Sequence, residues 1–302
     1  MENPGWSRRD FLKRTMLASG LVVAAPSALA ACQQTGGGGG GGGGRLEQLR
    51  SEGTITVGIA GEEPYGYLEG GELTGGDPAV QQEIWTNLGI DTIEATQVDF
   101  EGLIPGLSAG RYDVVAAGMF ITGERCAQAD FSDPMYCAPE AFLVPPGNPD
   151  NITDFESVAK AGIKLAVLGG AVEGQFARQS GVPGNKVVVV GSTRDGLLQV
   201  QQGRVGALAL TSITLKDILN DTPDANVELT EPFTPVVNGE KVYGCGGAVF
   251  RKEDDELRTA FNQELEKLKQ SGRLTKLMAP FGFGPETLPP DNLTTQKLCR
   301  IA

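Results

Sequence analysis

The chain has 302 residues, 40% of them hydrophobic, a net charge of −13, 43 glycines and no histidine. Without imidazole there is no Ser–His–Asp triad, no Cys–His pair and no HExxH zinc site. The negative balance excludes nucleic-acid binding by phosphate neutralisation, and the apolar fraction excludes a disordered chain.

The first segment reads as an address, not as a fold element. Ser7-Arg8-Arg9-Asp10-Phe11-Leu12-Lys13 carries paired arginines. Met16 to Ala31 follows without charge and is too short for a comfortable membrane span of about 20 residues. Leu29-Ala30-Ala31-Cys32 then places small residues before a cysteine. Residues 1–31 resemble a twin-arginine export signal ending in a lipobox, with Cys32 as the lipidated first residue of the mature chain. Gly36 to Gly44 is an unbroken run of glycine that cannot pack a core, so 32–45 is a Gly-rich tether. As a flexible coil it spans roughly 20 Å. The expectation is export to the outer face of the cytoplasmic membrane or the periplasm, held by the N-terminal lipid.

Four cysteines remain: Cys126, Cys137, Cys245 and Cys299. An even number in an exported chain predicts two disulfides, with three possible pairings. The favoured pairing is Cys126–Cys137, closing a local loop, with Cys245–Cys299 stapling the C-terminal tail. Their spacing is too wide for a metal site, and no metal or cofactor is expected.

From Thr54 onward short β-rich runs alternate with helical patterns. Thr54 to Ile59 reads as a strand. Pro78 to Leu88 reads as a helix capped by Asp77 and stopped by Gly89. A strand over 93–98, a helix over 100–108 and a strand over 113–116 follow. Strands are predicted over 164–168, 186–190 and 205–210, with helices over 174–180, 193–202 and 215–219 between them. Residues 252–271 read as a long helix with Leu257, Phe261, Leu265 and Leu268 on one face. Alternation of this kind predicts α/β layers with mainly parallel sheets. Pro145-Pro146-Gly147-Asn148-Pro149 marks a division. The expected organisation is one lobe from 46–144 and 240–302 and a second from 145–239, with a small ligand between them.

Gly102 to Asp113, Ala117-Gly118-Met119-Phe120-Ile121-Thr122, Glu124-Arg125 and Phe131-Ser132-Asp133-Pro134-Met135-Tyr136 together resemble the polar amino-acid class of bacterial solute-binding proteins. The resemblance covers roughly 46–300. It implies a two-lobed type II periplasmic-binding-protein fold with two hinge strands, no enzymatic activity, and a monomer that delivers a ligand to the membrane subunits of an ABC importer. Within that class, Ala60 to Tyr67, Ala117 to Cys126 and Lys297-Leu298-Cys299 are similar to ectoine/hydroxyectoine-binding proteins.

Two departures from amino-acid binders support that narrower resemblance. Such proteins usually carry an aspartate for the ligand's α-ammonium where Gly203-Arg204-Val205-Gly206-Ala207 here leads to Thr211. They usually carry a small hydroxyl residue where Phe120 stands. A compact ammonium favours a carboxylate, whereas a delocalised cation such as an amidinium can lie against aromatic faces. The resemblance implies an aromatic box of Tyr65, Phe100 and Phe120, with Glu62 accepting from the ligand's N–H groups. Arg125 would hold the ligand carboxylate as a two-pronged donor. Gly118 and Thr211 would line the cleft. Gly170, Val172 and Glu173 would bring backbone N–H groups and one further acceptor from a helix N-terminus.

On residue pattern alone, Phe100 and Phe120 also suit a core, Arg125 a surface ion pair and Glu62 a solvated turn. A polar amino acid or a betaine is the alternative ligand. A dehydratase-like enzyme on the same fold, with Glu173 as base, is the remaining alternative.

Overall fold

The computed structural model describes residues 44–237 and 239–300. The export signal, Cys32 and the tether up to 43 lie outside the described residues. Arg45 is already part of the folded body: it opens the helix Arg45–Glu52, and its guanidinium pairs with Asp113.

Two five-stranded sheets carry the fold. The first has the order Thr92–Gln97, Thr54–Ile59, Val114–Val115, Val249–Phe250, Asp130–Phe131. Its first three strands are parallel and the last two pair antiparallel. The second has the order Val187–Val190, Leu165–Leu168, Ala207–Thr211, Glu140–Val144, Glu228–Leu229. Again three strands are parallel and two antiparallel. Thr54–Ile59 and Val187–Val190 are rich in β-branched residues, which suit a pleated surface. Glu140–Val144 is buried throughout, so its apolar run shows no alternation. It begins ahead of the expected boundary at 145.

The helices that cover these sheets follow the sequence pattern with local corrections. The helix after the first strand spans Gly76–Asn87. Asp77 does not cap it. Its carboxylate is wholly buried and accepts the Gly118 N–H at 2.6 Å, so it ties the helix to the turn after Val114–Val115. The long helix spans Asp255–Gln270 and buries Leu257, Phe261, Leu265 and Leu268. Phe261 meets Trp85 and Phe250 with ring centroids 5.2 and 5.4 Å apart. Under the second sheet, Phe142 packs on Phe155 and Phe233 at 5.2 and 5.3 Å. Among the described residues no helix is long and apolar enough to cross a membrane.

The chain passes between the sheets twice, and both crossings run side by side. Tyr136–Cys137 pairs antiparallel with Cys245–Gly246. The disulfides are Cys137–Cys245 and Cys126–Cys299, which corrects the expected pairing. Cys137 and Cys245 face each other in the strand register, and the terminal helix Thr295–Leu298 brings Cys299 beside Cys126. Sequence distance decided neither bond: the partners are 108 and 173 residues apart.

Candidate functional site

Glu62 and Tyr65 lie in the turn that follows strand Thr54–Ile59. That turn is closed by the N–H groups of Tyr65 and Gly66 on the Glu62 carbonyl at 2.9 and 3.1 Å. The Tyr65 ring packs against Gly118, which has φ of +66°; a Cβ there would sit 2.2 Å from the ring. Only glycine allows both the backbone angle and this approach. Thr122 caps the short helix Gly123–Cys126 by accepting the Arg125 N–H at 3.3 Å, which orients the Arg125 side chain.

Nine of the ten residues expected at the ligand surround one cavity of about 20 Å³. They are Glu62, Tyr65, Phe100, Gly118, Phe120, Arg125, Val172, Glu173 and Thr211, joined by Ala171 and Leu210. Gly170 borders the adjoining larger cavity of about 310 Å³, which shares Phe100, Arg125 and Val172. Gly170 has φ of +75°, and a Cβ on it would come within 2.7 Å of the Glu101 Cα. There the loop after strand Leu165–Leu168 comes close to the turn Phe100–Gly102.

Three hydrogen bonds cross between the two sides. Tyr65 donates its hydroxyl to Thr211 at 3.0 Å, Thr214 donates to Glu62 at 2.9 Å, and Arg125 donates through Nη2 to the Gly170 carbonyl at 2.9 Å. The other prong of Arg125, Nη1, donates to the Phe120 carbonyl at 2.7 Å. Its guanidinium carbon stands 5.4 Å from the Phe100 ring centroid, so the protein's own cation already covers that face. Glu173 opens the helix Glu173–Gln179.

The site also contains residues that the sequence reading passed over. Tyr136 joins the aromatic cluster 5.4 Å from Tyr65 and 6.3 Å from Phe120, and Phe283 backs both tyrosines at 5.3 and 5.1 Å. Thr214 holds Glu62. Glu140 is fully buried, and the Glu173 carboxyl acts on it. Its sequence signal is an acidic residue at the head of the apolar run Ala141-Phe142-Leu143-Val144. Such a charge reads as a strand boundary when taken alone.

The electrostatics are those of carboxyl groups kept from water. Burial pushes the Glu62 carboxyl up to about 8, and the neighbouring Glu173 adds to the rise. Burial also raises Glu173 and, further, Glu140. Burial brings Arg125 down to about 10, against the pull of Glu173. Glu62 and Glu173 act on the Arg125 guanidinium, and among the described residues both oxygens of Glu140, Oε2 of Glu173 and the Tyr136 hydroxyl have no partner. Buried polar atoms are almost always satisfied in folded proteins, so the unpartnered Glu173 oxygen at this cavity suits a polar guest. Such a guest would meet acids, aromatic rings and a guanidinium.

The model for "Bacterial extracellular solute-binding proteins, family 3" matches residues 55–284. The chain is 35% identical over 260 residues to the probable amino-acid ABC transporter periplasmic-binding protein y4tE of Sinorhizobium fredii, covering 84% of this chain and 85% of that protein. Its fold is similar to the crystal structure of EhuB in complex with hydroxyectoine, with a TM-score of 0.77 and 36% identity over 84% of this chain and 97% of that one. It is also similar to an ancestral arginine-binding protein bound to arginine, with a TM-score of 0.67 and 30% identity over 76% of this chain and 98% of that one.

Proposed function

The chain belongs to family 3 of the bacterial extracellular solute-binding proteins and has the type II periplasmic-binding-protein fold; from that premise we propose that it captures ectoine or hydroxyectoine and delivers it to an ABC importer. The observation that carries this reading is the polarity of the cavity. Arg125, Glu62 and Glu173 line it together with the rings of Tyr65, Phe100 and Phe120. Ectoine is a ring zwitterion with a carboxylate and a delocalised amidinium. The carboxylate would take the two prongs of Arg125 from the Phe120 and Gly170 carbonyls. The amidinium would lie on the aromatic faces and donate to Glu62 and Glu173, at about 0.5–2 kcal/mol for each aromatic contact. Thr211 offers no charge for a compact ammonium. The likeness to the hydroxyectoine-bound EhuB structure supports the same ligand class.

A ring of this size enters only when the Tyr65–Thr211, Thr214–Glu62 and Arg125–Gly170 bonds part, so capture is a hinge opening followed by closure. Binding without chemistry suffices for this role, and the lipid on Cys32 would hold the protein, as a monomer, near the importer.

One observation favours a second reading. Glu62, Glu140 and Glu173 outnumber Arg125, an excess that suits a basic amino acid such as arginine. A betaine would satisfy Arg125 and the rings but donate nothing to the acids. Calorimetry on the purified protein with ectoine, hydroxyectoine, glycine betaine, glutamine and arginine separates these. Tight binding of ectoine or hydroxyectoine is expected. Heat with arginine or glutamine and none with ectoine would replace this reading with the second.

A further inference from the structure

We propose that Thr214 is a positioning residue for ligand capture: its hydroxyl binds Oε1 of Glu62, fixes that carboxyl in the closed site and leaves Oε2 to meet the solute. This rests on the reading of Glu62 as a ligand acceptor.

The two residues come from opposite sides of the site. Glu62 lies in the turn after strand Thr54–Ile59 and lines the cavity. Thr214 lies in the first turn of the helix Ser212–Asp221, is wholly buried and is not among the residues that line the cavity. It therefore acts on a guest through Glu62. Its hydroxyl donates to Glu62 Oε1 at 2.9 Å, and among the described residues no other hydrogen bond reaches that carboxyl.

This bond ends a one-way row of hydroxyls. A hydroxyl has one proton to give and can accept twice. Thr214 spends its proton on Glu62, so in the 3.2 Å contact between the Thr211 and Thr214 hydroxyls the donor is Thr211. Thr211 in turn accepts from Tyr65 at 3.0 Å and from the Thr214 N–H at 3.3 Å. With Thr211 accepting twice and Thr214 spent on Glu62, the row cannot run the other way. Buried bonds aligned in series also strengthen one another. Oε1 closes the row as the acceptor, which puts a proton held by Glu62 on Oε2. The exchange that capture demands, a proton given up for a ligand N–H, then takes place at a single oxygen.

The charged and titratable groups around Glu62 stay in place when residue 214 is changed. Tyr65 shares its turn, Arg125 comes from the helix Gly123–Cys126, Tyr136 from the strand Tyr136–Cys137, Glu140 from the strand Glu140–Val144 and Glu173 from the helix Glu173–Gln179. On the helix that carries Thr214, Asp217 and Asp221 gather with Glu63, their oxygens within 4.8 Å of one another. Against burial, the Thr214 hydroxyl is the hydrogen-bond donor that favours the Glu62 anion.

The test compares the wild type with T214V, which keeps the side-chain shape and the N–H to Thr211, and with T214S, which keeps the hydroxyl. Calorimetry uses whichever of the five solutes binds the wild type best, at pH 7 and pH 9. T214V should lose about tenfold in affinity at pH 7 but only about threefold or less at pH 9, where more of its Glu62 is ionised. T214S should stay within about threefold of the wild type at both. A defect of helix or packing alone would weaken binding equally at the two pH values. The second readout needs no ligand: the carboxyl-carbon NMR signal of Glu62 in isotopically labelled protein, assigned by its loss in E62Q. Its titration midpoint should lie about half a unit or more higher in T214V and stay put in T214S. Undiminished binding by T214V, an equal loss at pH 7 and 9, or an unmoved Glu62 midpoint would overturn the proposal. If none of the five solutes binds the wild type, the ligand reading fails while the midpoint still decides whether Thr214 holds that carboxyl.

Discussion

The Tyr65 hydroxyl donates to Thr211 Oγ1 at 3.0 Å, joining residues 146 apart in the chain. The same oxygen accepts the Thr214 N–H at 3.3 Å and so caps the helix Ser212–Asp221. The Thr214 hydroxyl in turn reaches Glu62. A helix cap and a bond between the two sides of the site therefore share one atom. Tyr65→Phe removes that bond and keeps the ring. Small-angle scattering without ligand should show a larger radius of gyration, and affinity should drop about threefold to tenfold. A variant with unaltered scattering and affinity would mean that the bond does not hold the cleft shut.

Arg125→Lys tests the carboxylate seat. Lysine keeps the charge but cannot stack flat on Phe100 or present two parallel N–H groups. Affinity for a carboxylate-bearing ligand should fall about 10- to 100-fold by calorimetry, with the melting temperature changed much less. A loss under about threefold would remove Arg125 from that role.

Ligand capture should release a proton. Burial holds Glu62 up to about 8, so at pH 7 it is mostly protonated in the closed protein. For a raised carboxyl, the stability tied to its proton is full below about 4.5 and is lost as pH climbs through about 8. A cation placed on Glu62 reverses the preference and drives the proton off. Heats of binding measured at pH 7 in buffers of small and large ionisation enthalpy should differ by roughly one proton's worth, and the difference should vanish above about pH 9. Equal heats in both buffers at pH 7 would show that Glu62 binds the ligand without losing a proton.

The Cys126–Cys299 bond sits next to Arg125 and spans 173 residues. Replacing both cysteines by serine should cost about 2–5 kcal/mol, read as a fall in melting temperature of roughly 4–20 °C. Affinity should fall too, because the helix Gly123–Cys126 loses its anchor to the terminal helix Thr295–Leu298. Normal affinity in the serine pair would show that Thr122 alone seats Arg125.

Much of the architecture was legible because the elements are long or strongly patterned. The β-branched run at Thr54–Ile59 and the stripe Leu257, Phe261, Leu265, Leu268 leave little choice. Strands such as Asp130–Phe131 and Val249–Phe250 are two residues long and set no period, so they emerge only from their neighbours. Asp77 looked like a cap because the next residue is proline; a backbone donor at Gly118 claimed it instead. The motif around Phe120 and Arg125 pointed to the cavity. Glu140 and Thr214 stayed hidden, since their importance comes from what the second sheet lays against the first. The disulfides escaped for the same reason: their partners are neighbours only in space.

The pair Tyr136–Cys137 and Cys245–Gly246 carries both passages of the chain between the sheets, and a sulfur bridge rungs the two strands together. A twist imposed on one is thereby imposed on the other. Any swing of one half against the other therefore has to bend both strands together.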